Sequence, residues 1–298
     1  MEVEARGWEN ATVIRGSGET KVMEIPRSLF ESPDAHHRLS VLFRRYWYPL
    51  WSMLRRDFKI RYAPTFLGVG WAALQPLLLL LLYTFVFSGI LNVKFGPEAS
   101  TFGFVLYFGC GFFPYHALSD AIRQGSTSLT DNRGLLDKVI FPAEVLPAVS
   151  VLTAGVTEII GLVLLVVFAS FVGIHPSAWL FFLPVIVLLR IVLSLGLGWL
   201  VSVLNVFVND LGQILGLLLL TLMFMTPIFY PVEAVPEGMI WLVKLNPLYY
   251  VVTAYRAVIL HTQNPLPALL GLIPWAIIMS AFGLWFFRRT IERAKDFL

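Results

Sequence analysis

Residues 145–189 read VLPAVSVLTAGVTEIIGLVLLVVFASFVGIHPSAWLFFLPVIVLL, with Glu158 the sole formal charge in the stretch. A helix crossing a hydrocarbon core of about 30 Å needs about 20 predominantly apolar residues. The run is long enough for two such helices, and Gly173-Ile174-His175-Pro176-Ser177 breaks its middle. Two antiparallel spans joined by a short turn are predicted, near 148–172 and 178–205. Outward from this pair, other uncharged runs place spans near 66–90, 99–119, 211–232 and 267–287.

The whole composition agrees with lipid as a solvent. Hydrophobic residues make up 57% of the chain and charged residues 14%, with a mean hydropathy of +0.75. Soluble domains carry about a quarter charged residues, so this chain cannot cover a globule of its own size with polar surface. The first 60 residues hold no apolar stretch of signal-peptide length. Cys110 is the single cysteine, so no intrachain disulfide forms.

Lys and Arg are retained on the cytoplasmic side of membrane proteins. Eleven precede the first span, Arg123, Arg133 and Lys138 follow the second, and Arg288, Arg289, Arg293 and Lys295 follow the sixth. The opposite loops hold Lys94, Lys244 and Arg256. Both termini are therefore expected in the cytoplasm. The fold expected is an all-α integral membrane domain over 41–298 with six transmembrane helices. A polar extension over 1–40 precedes it, where Gly16-Ser17-Gly18 marks a turn between short extended pieces.

Four stretches carry more than topology. In 46–62, Trp47, Leu50, Trp51, Leu54 and Phe58 fall on one helical face, while Arg55, Arg56, Lys59 and Arg61 supply cations. Such a basic amphipathic helix lies in the membrane interface; it serves as a lipid anchor, or also touches a cytoplasmic partner. After the second span, Asp131 or Asn132 caps a short helix that Pro142 ends. Its apolar face, Leu135, Leu136, Val139 and Ile140 with Phe141 beyond, calls for a lipid surface or a groove on another protein. The outer segment 231–260, punctuated by Pro231, Pro236 and Pro247, predicts two short helices over 236–245 and 248–260 that dip into the outer leaflet. Non-helical backbone at that depth is tolerated where it is buried in protein or lines a cavity. The segment is a candidate gate or a plain interfacial loop.

The fourth is a pair of intramembrane charges. At 1.5 Å per residue, Glu158 lies roughly 15 Å in from one end of its span and Arg190 roughly 18 Å in from the opposite end of the next. The depths nearly coincide, and pairing is the usual remedy for a charge at mid-membrane. A Glu158–Arg190 ion pair is predicted, either purely structural or in contact with substrate. Aromatics at Tyr83, Phe87, Tyr107, Phe112, Tyr230, Tyr249 and Tyr250 fit interface belts and core, or rings facing a channel that passes a glycan. Gly212 and Gly216 form one G-x-x-x-G, which permits close helix contact.

No G-x-x-x-x-G-K-[ST] loop occurs, so the chain has no P-loop for ATP. No run of intramembrane carboxylates for a proton relay, metal-ligand spacing or nucleophile–base set is present. No cofactor is expected in this chain.

Trp51-Ser-Met-Leu-Arg-Arg56-Asp57-Phe-Lys-Ile-Arg61-Tyr62, with Leu67-Gly68 and Trp71-(x)3-Gln75-Pro76, resembles the first part of polysaccharide-exporting ABC-2 permeases. These proteins move O-antigen, capsule or teichoic acid chains. Lys138-Val-Ile-Phe141-Pro142 with Leu146-Pro147, Leu204-Asn205-Val206, Thr226-Pro227-Ile-Phe-Tyr230-Pro231, and Asn246-Pro247-Leu248 with Arg256 continue the likeness in order. It implies a homodimer in the bacterial plasma membrane, paired with two copies of a separate ATPase subunit that holds ATP and Mg. The implied substrate is a lipid-linked polysaccharide, with no nucleic acid involved. It also implies an interface helix over 46–62, a coupling helix over Asn132–Phe141 seated in the ATPase, and outer re-entrant gate helices. Two departures stand out, Ala143 and Asn209, where the family usually carries Arg. Rival readings are a permease for drugs or small lipids, a secondary carrier, and a membrane-embedded glycosyltransferase.

Overall fold

The structure, a computed structural model, describes residues 12–16, 19–23, 35–62, 66–93, 100–138, 142–175, 177–208 and 210–298. Strands β1 (Thr12–Gly16) and β2 (Glu19–Met23) pair antiparallel, Thr12 opposite Met23 and Gly16 opposite Glu19. They are the short extended pieces read on either side of the glycines. Everything else of regular structure among the described residues is helical.

Helix α1 (Ala35–Tyr62) is followed by α2 (Trp71–Thr84), which a single 3-10 turn leads into and a π stretch, Phe85–Ile90, extends. Next come α3 (Thr101–Asp131), α4 (Arg133–Lys138), α5 (Val145–Phe171), α6 (Leu183–Phe207) with its leading 3-10 turn Ala178–Phe182, and α7 (Leu211–Met225). Two short helices, α8 (Ile240–Leu245) and α9 (Pro247–Leu260), precede α10 (Leu266–Lys295). Side-chain caps set several starts: the Ser100 hydroxyl accepts from the Gly103 amide at 3.0 Å, and the Asn246 side chain from the Leu248 amide at 2.9 Å. Pro247 then sits in the first turn of α9, where its missing N–H costs nothing.

Among the described residues, four helical stretches are long and apolar enough to cross a membrane: Gly68–Ile90, Val145–Phe171, Ala178–Phe207 and Leu266–Lys295. The other two expected spans differ from their sequence reading. Helix α3 does not stop near residue 119 but runs to Asp131, and its 31 residues make a rod of about 46 Å. It is the central column, buried along most of its length and packed against α2, α5, α6, α7 and α9. That burial lets it carry Ser119, Ser126 and Ser128, which a lipid-facing helix would not.

Helix α7 ends at Met225, not near 232, and at 15 residues is only about 22 Å long. The apolar run continues, but Pro227 forces the residue before it out of the helical region: Thr226 is extended at φ −85° and ψ 136°.

Among the described residues, the closest backbone-to-backbone helix crossing lies at glycines that form no paired motif. A β-carbon on Gly196 of α6 would strike the Met279 carbonyl of α10, and one on Gly283 would strike the Gly196 backbone. By contrast, β-carbons at Gly212 and Gly216 would point into open space, so that G-x-x-x-G makes no close contact within the chain. The large apolar core gathers α3, α5, α6, α9 and α10. A second cluster, with Leu129, Leu146, Val203, Phe287, Ile291 and Leu298, closes the end of the bundle where α3 meets α4.

Candidate functional site

Deep in the bundle, Glu158 of α5 and Arg190 of α6 form a salt bridge with both side chains fully buried. Antiparallel packing of α5 and α6 puts the two at one level, as the counting of residues predicts. Nη1 of Arg190 donates to the Ser194 hydroxyl at 3.4 Å, and that hydroxyl donates to the Arg190 carbonyl at 2.9 Å. The second carboxylate oxygen of Glu158 accepts from the Tyr255 hydroxyl at 3.0 Å. Tyr255 belongs to α9, so a charge pair on two long helices is joined by a phenol from a shorter one. Nothing in the spacing of Tyr255 along the sequence marks it for this role.

One residue further along α9, Arg256 faces the other way. Its guanidinium lies 3.5 Å from the centre of the Tyr107 ring on α3. Nε donates to the Tyr107 carbonyl at 3.3 Å and Nη2 to the Ile228 carbonyl at 3.2 Å. Counted as a loop cation in the sequence, Arg256 is buried. The Tyr107 hydroxyl donates to the Tyr230 carbonyl at 3.4 Å, the Tyr230 hydroxyl to the Phe224 carbonyl at 2.8 Å, and the Asn246 amide to the Thr226 hydroxyl at 2.7 Å. Two carbonyls of the non-helical turn 226–231, those of Ile228 and Tyr230, thus receive donors from α9 and α3. Buried backbone without such partners would carry orphaned polar groups at high cost.

The expected channel aromatics divide. Phe112 is buried in a ring cluster with Phe108, Tyr83, Phe87 and Phe229, whose neighbouring centroids lie 4.9–6.5 Å apart. Its place is the packing of α2 and α3 against the turn after α7, where it is buried. The Tyr250 ring fills the notch left by Gly271 of α10, with Tyr249 edge-on to it at 5.1 Å. Tyr83, Phe87, Tyr107, Tyr230, Tyr249 and Tyr250 keep partial exposure.

At the opposite end, α4 is described over Arg133–Lys138, and Val139, Ile140 and Phe141, read as the rest of that helix, lie outside the described residues. Asn132 does not cap α4 with its side chain. Its amide donates back to the Ser128 carbonyl at 2.9 Å, closing α3, and its own carbonyl receives the Leu135 and Leu136 amides. Leu135 and Leu136 are half-buried against this chain's own cluster, with Met53 of α1 and Trp199 of α6. An apolar face read as seeking a partner's groove is therefore partly covered at home. Ala143, one of the two departures, is buried in that same cluster, while Asn209 lies outside the described residues. Beside it, Trp199 Nε1 donates to the Glu144 carbonyl at 2.9 Å and Arg288 Nε to the Glu144 carboxylate at 3.4 Å.

On α1, Trp47 and Trp51 are stacked with centroids 6.5 Å apart and are 51% and 54% exposed, as rings meeting an interface would be. Arg55, Arg56 and Lys59 are exposed. Arg61 is turned inward: it pairs with Asp57 at 3.0 Å, and the same Asp57 oxygen accepts from the Thr153 hydroxyl of α5 at 2.9 Å. That link fastens the helix to the bundle. The groove between α1 and α5, about 240 Å³, is walled by Trp47, Leu50, Leu54, Leu152, Val156 and other apolar groups.

The profile of the ABC-2 type transporter family matches residues 48–260, from the amphipathic helix through α9. The chain belongs to that family. It is a multi-pass membrane protein, with α4, α8 and α9 all inside the matched region. Among curated proteins, it is 26% identical over 244 residues to the O-antigen export system permease protein RfbA of Klebsiella pneumoniae, covering 82% of this chain and 92% of that one. It is 31% identical over 216 residues to the RfbA permease of Myxococcus xanthus, covering 72% and 81%. The polysialic acid transport protein KpsM of Escherichia coli matches at 24% over 211 residues, covering 70% and 80%.

Proposed function

We propose that the chain is the permease subunit of an ABC transporter that exports a lipid-linked polysaccharide across the bacterial inner membrane. Two copies form the pathway, and two copies of a separate ATPase drive it from the cytoplasmic side. The observation that carries this reading is similarity along most of the chain to permeases named for O-antigen export. The absence of a P-loop from the sequence agrees with an ATPase on another subunit.

Six spans then come from adding α3 and α7 to the four longest apolar helices, with both termini cytoplasmic by the Lys and Arg bias. Helix α4 is the contact for the ATPase, and α8 and α9 with the turn before them form the outer gate. A passage between protomers is supported by the close packing of the described interior, and there the half-exposed aromatics would meet sugar C–H faces.

The test is removal of the chain from its host. Loss of surface polysaccharide, with lipid-linked chains accumulating on the cytoplasmic face, is expected. Normal surface polysaccharide in the deletion strain would turn the reading toward a permease for drugs or small lipids.

A further inference from the structure

Tyr255 and Arg256 are sequence neighbours on α9 that reach in different directions, one to the α5–α6 ion pair and the other to α3 and the turn after α7. Both Glu158 oxygens are occupied, one by Arg190 and one by Tyr255. A hydrogen bond to a buried carboxylate is stronger than one between neutral groups, and its loss leaves a desolvated charge short of a donor. The Tyr255 hydroxyl therefore has a high cost of release. We propose that Tyr255 is a positioning residue that tethers the outer segment to the Glu158–Arg190 pair, so that α9 and the α5–α6 hairpin shift together when the transporter works. This deepens, and rests on, the reading of 231–260 as the gate of an exporter.

The molecule carries its own reporter. Cys110 is the single cysteine of the sequence and is fully buried in the core cluster that also holds Tyr255. A maleimide reaches its thiol only when the packing around α3 and α9 opens. Replacing Tyr255 by Phe keeps the ring and removes the hydroxyl. In the purified complex, labelling of Cys110 is expected to quicken by about ten- to hundredfold, the range set by a hydrogen bond to a charged group. Polysaccharide exported per ATP hydrolysed is expected to fall in the same variant.

The second arm repeats the exchange in a Glu158→Leu, Arg190→Leu background. There the hydroxyl has no carboxylate to hold, and Tyr255→Phe is expected to add nothing. Unchanged labelling in the single variant overturns the tether, as does an undiminished effect in the charge-free background. The labelling needs no substrate, so a wild-type complex that exports no polysaccharide overturns the exporter reading alone.

Discussion

Arg256 stacks on Tyr107 at 3.5 Å while its Nη2 holds the Ile228 carbonyl at 3.2 Å, so one buried side chain ties α9 to both α3 and the break after α7. A planar guanidinium can stack and donate sideways at once, which an ammonium group cannot. Arg256→Lys is expected to free the turn 226–231, at a cost of about 1–3 kcal/mol for the carbonyls left unpaired. Faster hydrogen exchange in that turn would register it. Protection equal to wild type would mean that Asn246 and Tyr107 suffice to hold it.

The buried ion pair predicts an asymmetry between single and double replacements. Arg190→Leu strands the Glu158 carboxylate and is expected to cost about 3–5 kcal/mol, whereas adding Glu158→Leu removes the stranded charge and recovers much of it. Thermal unfolding in detergent, with yield as a second readout, compares the two. A double variant as unstable as the single one would show that the charges are not held by each other.

Helix α4 allows docking to be separated from folding. Leu136 packs on its own chain's cluster, so Leu136→Asp is expected both to lower the melting temperature and to abolish stimulation of the ATPase. A β-carbon at exposed Gly134 meets nothing within 4 Å, so Gly134→Trp is expected to leave melting unchanged and to weaken the ATPase contact alone. Full stimulation in the Gly134 variant would take the ATPase contact away from α4.

The α6–α10 crossing gives a purely structural prediction. Gly196→Val drives a side chain into the Met279 backbone and is expected to destabilise by about 1–3 kcal/mol or more, as overpacking does. Gly212→Val, facing open space in this chain, is expected to leave monomer stability near wild type. Thermal melts of the two variants decide.

The long uncharged runs made the four longest apolar helices legible, because lipid imposes both a minimum length and a low charge. The Glu158–Arg190 pair was legible for a similar reason: helical rise converts residue counts into depth. The early end of α7 was written in Thr226-Pro227 but masked by the apolar residues that follow. Tyr255 was not legible, since a tyrosine in a semi-apolar stretch has no spacing that distinguishes a buried donor from a belt residue. Nor was the packing of Leu135 and Leu136 beneath α4. The cluster they pack against holds Phe287, Ile291 and Leu298 from the far end of the chain, and local pattern does not reveal contacts of that range.

The central claim is that this permease works with a separate ATPase, and purification from native membranes in mild detergent tests it most directly. A P-loop ATPase is expected in one-to-one ratio with the chain, and less of it on Gly134→Trp. A chain that purifies intact and never carries an ATPase would contradict it.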